Sequence, residues 1–180
     1  MRLYRSRVES ISKKTIQDLT DGGHIEVDPD NRLEAIADLE AIMIEHLNRD
    51  RRLRDSVRER MANRRIPYDE YPKIRAQLAK EWGHPLGSQL EKYLSIQFVE
   101  SFMVSPYIEE VYSDDFTMRR MIMEVLKEFD VDESALRDEA RAQLKNISET
   151  SAEYEIRFAQ ALREVRVRHG LLEERKTNRK

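Results

Sequence analysis

Apolar positions recur along this chain at the three- and four-residue intervals of an α-helix, interrupted in only a few places. Val8, Ile11, Thr15 and Leu19 share one face of a first segment, about 4–19, which stops at Asp21-Gly22-Gly23, where glycine can adopt the left-handed conformation that closes a helix. Ala35, Leu39, Ile42, Met43 and His46 define a second, capped by Asp28 or Asp30 and broken near Asn48-Arg49-Asp50. Leu53, Val57 and Met61 mark a third, which ends before Ile66-Pro67 because a residue preceding proline disfavours the helical region. A fourth starts near Asp69, tolerates Pro72 in its first turn, and presents Ile74, Leu78 and Trp82 before Gly83-His84-Pro85.

Beyond that seam, Ser88 and Glu91 have the spacing of a capping box for a fifth helix carrying Leu90, Tyr93, Leu94, Phe98 and Phe102. Ile96, Val99 and Met103 make it apolar nearly all round, which places it in the middle of the molecule or in an oligomer interface. Ser113 is positioned to cap a sixth helix with Met118, Met121, Ile122, Val125, Leu126 and Phe129 on one stripe. Asp132 opens a seventh with Leu136, Ala140 and Leu144, and Thr150 with Glu153 an eighth with Tyr154, Phe158, Leu162 and Val165. The tail after Leu172 is polar.

Sliding the chain on itself by 83 positions lays residues 33–63 over 116–146, with six identities and a shared apolar pattern that includes Leu33/Phe116, Leu39/Ile122 and Met43/Leu126. The recurring Arg54, Asp55 and Arg58 read as a duplicated structural salt bridge. The expected architecture is therefore all-α: two related four-helix units, residues 1–86 and 87–172, packed together, with a polar tail over 173–180. Ile25 to Val27 and Ile108 to Val111 could pair as one very short pair of strands around a pseudo-twofold axis, although plain loops are the favoured reading of such short segments.

The opening Met1-Arg2-Leu3, then Arg7-Val8, Ile11-Ser12, the stretch Val57-Arg58-Glu59-Arg60-Met61-Ala62 and a proline such as Pro67 together resemble the bacterial domain-of-unknown-function family 507. The resemblance covers residues 1 to about 83 well and the second half weakly, and with the repeat it implies tandem copies. The chain departs after Pro67, where Tyr68-Asp69-Glu70-Tyr71-Pro72 replaces the family's usual Gly-Ser and Trp-Asp wording. The resemblance implies no activity, cofactor or catalytic residue.

Composition narrows the chemistry. Of 180 residues 39% are apolar and 37% charged, with a net charge of -3, so a packed core is expected and disorder is not. Only ten residues are glycine or proline, against turn-rich β folds and glycine-rich phosphate loops. The absence of cysteine excludes disulfides, thiolate metal sites and a cysteine nucleophile. No apolar run reaches the roughly 18 residues of a membrane span, and no signal-peptide pattern opens the chain, so a cytoplasmic protein is expected.

His24, His46, His84 and His169 are scattered, none with another histidine at i+3 or i+4. Asp130-Val131-Asp132 imitates the start of a calcium loop, but Ala135 stands where its glycine belongs and Arg141 where its bidentate glutamate belongs. Capping explains these aspartates instead. No nucleophile elbow, phosphate loop or dinucleotide fingerprint occurs, and neither catalysis nor a cofactor is expected.

Charge is the clearest asymmetry. Between Arg49 and Arg65 eight arginines face three acids, whereas between Glu109 and Arg141 eleven acids face five bases. Arg49, Arg51, Arg52, Arg54, Arg58 and Arg65 are the candidate contacts for RNA or DNA phosphate, since guanidinium forks bind oxygen pairs. Against this stand the acidic total and the lack of aromatic residues among the arginines. Phe98, Phe102, Met103 and Met123 are the candidate surface for a protein partner or for self-association into a homo-oligomer. The favoured reading is a non-catalytic protein-binding or scaffolding module, with a nucleic-acid- or ribosome-associated factor as the alternative.

Overall fold

The computed structural model describes residues 1–144 and 152–172. The chain is predominantly helical: α1 (Val8–Asp21), α2 (Arg32–Arg64), α3 (Tyr71–Glu81), α4 (Gln89–Val104), α5 (Asp115–Glu128), α6 (Glu133–Ala142) and α7 (Ala152–Arg168). Short 3-10 turns precede α1, α2 and α3. The one sheet among the described residues is a pair of two-residue strands, β1 (Ile25–Glu26) and β2 (Glu110–Val111), antiparallel with Ile25 opposite Val111 and Glu26 opposite Glu110. Pairing therefore prevails over the loops favoured from sequence, because Ile25 and Ile108 anchor the segments in the core.

Eight helices were expected, and the difference lies in α2. The break anticipated at Asn48-Arg49-Asp50 does not occur, and α2 runs on for 33 residues, about 50 Å at 1.5 Å per residue. Neither glycine nor proline interrupts it there, and asparagine and aspartate cost a helix only about 0.7 kcal/mol each. Its buried stripe passes from Met43 and His46 to Leu53 and Val57 with Asp50 bridging the gap, bonded to Arg75. Two caps also differ. Ser88 makes no side-chain cap bond to α4. Asp114, not Ser113, caps α5 by accepting from the Thr117 amide at 3.0 Å, while Ser113 meets His24 Nδ1. Asp132 caps α6 as its spacing indicates, accepting from the Ser134 and Ala135 amides.

The chain forms two compact units, a division different from the repeat units expected at 1–86 and 87–172. The larger comprises Met1–Leu3 and Val8–Asp130. In it α1 packs on α2 and α5, and α4 packs on α5 and α2. These helices enclose a core of Ile11, Ile16, Leu19, Leu39, Met43, Leu94, Phe98, Met118, Ile122 and Leu126. The C-terminal half of α2 closes a separate cluster with α3: Leu53, Val57, Met61, Leu78 and Ala79. The smaller unit comprises Tyr4–Arg7 and the described residues from Val131 onward. There Leu136, Ala140, Ala161, Leu162, Val165 and Leu171 pack around Tyr4, whose hydroxyl donates to Glu133. Asn146, Thr150, Arg179 and Lys180 lie outside the described residues.

Ser12 and Thr15 of α1 are fully buried, and their hydroxyls have no partner among the described residues. A buried hydroxyl that forms no bond loses its hydration without return. Replacing Thr15 by Val keeps the shape and removes the polar atom, so Thr15→Val should raise the stability by about 1 kcal/mol, read as a higher urea midpoint with an unchanged slope.

Candidate functional site

A polar centre lies where α2, α3 and the turn after α3 meet. Asp50 accepts from Arg75 Nη2 at 2.8 Å and pairs with Arg54 Nε at 3.3 Å. Gly83, at φ 58°, takes the left-handed conformation that ends α3 and turns His84 inward, where its Nε2 stands 3.5 Å from Asp50. The His84 ring stacks on His46, centroids 4.6 Å apart and planes at 10°. Burial opposes the Asp50 charge, but the Arg75 hydrogen bond and the two guanidiniums outweigh it and hold the carboxyl below its usual range. Burial, aided by His84, pushes His46 down to about 4, and burial likewise lowers His84 despite the nearby Asp50. Both rings are therefore neutral at pH 7.

That centre gives a pH dependence with a definite sign. The unfolded chain takes up histidine protons near the ordinary value of about 6.5, while folded His46 resists them until about 4. Their stabilising contribution is complete above pH 6.5 and is lost as the pH falls through that window. From pH 7 to pH 5 the urea midpoint should fall by the equivalent of about 1 to 2 kcal/mol, allowing for partial solvent access. His46→Phe should flatten the slope.

The arginines of this stretch are largely paired with acceptors of the same unit, although Arg52 and Arg58 remain exposed. Arg49 donates to the Trp82 carbonyl, Arg52 pairs with Glu45, Arg54 with Asp50 and Arg58 with Asp55. Arg60 bonds Glu81 through both terminal nitrogens. Arg51 and Arg65 are exposed and have no side-chain partner among the described residues. Of the six arginines singled out for phosphate, four thus have intramolecular acceptors. The Asp55–Arg58 pair has its counterpart in Asp138–Arg141, at 2.7 Å. No group of three or more candidate metal ligands occurs among the described residues. None of the described helices is long and apolar enough to cross a membrane.

Phe98 and Phe102 are core residues, 0% and 3% exposed, so they have no surface to offer a partner. The apolar stripe of α4 explains this: both stand in the core shared with α1, α2 and α5. Met103 is exposed and Met123 half-buried. The exposed apolar side chains lie elsewhere. Leu33 and Phe116, in the first turns of α2 and α5, are 73% and 72% exposed, and Val104 at the end of α4 is 81% exposed. With Met103 and Tyr112 they all stand a few residues along the chain from the strand pair.

Around them the charge is acidic: Glu26, Asp30, Glu34, Glu109, Glu110, Asp114 and Asp115 are all exposed. Glu26 and Glu110 face each other directly across the strands, an arrangement that costs stability. Tyr112 donates to Glu26, which raises the tyrosine's own pKa. Sequence reasoning assigned Leu33 and Phe116 to a shared apolar pattern and missed their exposure. The available signal was Arg119 and Arg120, one turn after Phe116, where a core-facing residue would have apolar neighbours.

A family model described as "Protein of unknown function (DUF507)" matches residues 1–171. No curated protein matches the chain.

Proposed function

Since the chain belongs to the DUF507 family, whose description carries no activity, we propose from geometry that it is a non-catalytic, cytoplasmic protein-binding module. Its partner presents apolar anchors in a basic setting. The observation that carries this reading is the exposure of Leu33, Val104, Tyr112 and Phe116, each a few residues along the chain from a strand pair that keeps Glu26 opposite Glu110. Large apolar side chains left in water gain about 1.5 to 3 kcal/mol each when a partner covers them. The acidic rim favours lysine and arginine on that partner and disfavours a second copy of the same surface.

The same face suits a duplicated chain. Leu33 and Phe116 stand 83 positions apart, as do Leu53 and Leu136, Val57 and Ala140, Leu78 and Ala161, and Ala79 and Leu162, each a buried pair in the last four cases. The helix contacts agree with that lag, since α1 on α2 resembles α4 on α5. Tandem copies of one helical unit account for these correspondences.

The test is affinity capture from nuclease-treated lysate with the wild-type chain beside Leu33→Ser/Phe116→Ser. A stoichiometric basic protein retained by the first and lost by the second supports the reading; equal retention by both overturns it. Filter binding of RNA and DNA at low salt, abolished by Arg51→Ala/Arg65→Ala, would instead assign a nucleic-acid factor.

A further inference from the structure

Between α2, the start of α3 and the turn following Pro85 lies a cavity of about 330 Å³, within the larger unit, with Asp50, Arg54, Arg75, His46 and Tyr71 in its lining. This is within the size range of sites that hold small ligands. Asp50 engages only one donor of each arginine, Nε of Arg54 and Nη2 of Arg75. Their other nitrogens have no partner among the described residues, and Arg75 Nε is buried. His84, with 1% of its side chain exposed, has no hydrogen-bond partner at either ring nitrogen among the described residues. Arg2 also lines the cavity.

We propose that this cavity binds a small oxyanion, a phosphate or carboxylate group held by the open edges of Arg54 and Arg75, with Asp50 fixing both forks. A guanidinium that has committed one donor to a positioning carboxylate still presents a second edge matched to two oxygens. The charged pair itself has a counterpart 83 positions on, where Glu133 and Arg137 follow Asp50 and Arg54 and Glu133 pairs with Arg166 at 2.6 Å. What sets the first centre apart is its second fork and its histidines, since Phe129, Phe158 and Val167 stand 83 positions after His46, Arg75 and His84, and the cavity beside them.

The full chain is titrated calorimetrically with inorganic phosphate and, separately, with succinate, against sodium chloride of equal ionic strength. Histidine ring resonances are followed by NMR. Saturable binding of phosphate alone assigns a phosphate site, and of succinate alone or of both a carboxylate-accepting one. In each case His46 and His84 resonances should move, and Arg54→Gln, with its folding checked by the urea midpoint, should weaken binding at least tenfold. Arg75→Lys, which keeps the charge but not the fork, should weaken it too. The proposal is overturned if neither anion saturates beyond the chloride control, or if Arg54→Gln and Arg75→Lys bind as the wild type does.

Discussion

Replacing Phe98 by Ala should cost the protein about 3 to 5 kcal/mol, the range for deleting a fully buried aromatic ring. Phe98 is completely enclosed, on the α4 face that meets the shared core of α1, α2 and α5. Helices packed on several sides of α4 have little freedom to collapse into the space, so the cavity cost adds to the lost transfer energy. Domains of this size are stable by only about 5 to 15 kcal/mol, so the variant should be partly unfolded at 37 °C. Urea unfolding at 25 °C measures the effect, with Phe116→Ala as comparison. That ring is 72% exposed, and its loss should stay within about 0.5 kcal/mol. A Phe98→Ala loss below about 1 kcal/mol would mean that α4 is not the centre of this core.

The contrast between these two phenylalanines shows what the sequence could and could not say. Phe98 sits in a run with Leu94, Val99 and Phe102 whose apolarity nearly all round suits a core and a partner interface equally, and the structure puts it in the core. What that run could not reveal was that its surplus apolarity is consumed by packing on both α5 and α2, leaving only Met103 and Val104 outside. Most helix limits were readable because glycine and proline mark them, as at Gly83 and Pro106. The continuous α2 was not, since its stripe crosses Asp50, a charge that is tolerable only because Arg75 arrives from 25 residues away. The polar centre was illegible for the same reason. His46 and His84 are far apart in sequence, and their stacking depends on the left-handed turn at Gly83. Arginine density was visible, but its neutralisation by Glu45, Asp50, Asp55 and Glu81 required the helix register and the α2–α3 packing.

Two variants at the docking face should separate binding from stability. Leu33→Ser/Phe116→Ser removes two exposed side chains that touch little of the fold, so the unfolding midpoint should hardly move. Binding should suffer far more. Two apolar anchors worth about 1.5 to 3 kcal/mol each amount to a loss of partner affinity of about a hundredfold or greater. Glu110→Lys should do something that a structural residue would not. Opposite Glu26 it converts a repulsive cross-strand pair into an attractive one and raises stability by up to about 1 kcal/mol. Yet it reverses a charge on the rim that a basic partner meets, so association should slow and affinity should drop, most steeply at low salt. Chemical denaturation and salt-dependent binding kinetics of the same variant give both readings. A Glu110→Lys protein that is more stable and binds its partner as well as the wild type would refute the acidic face as a recognition surface. A less stable one would refute the strand register from which its cost was reckoned.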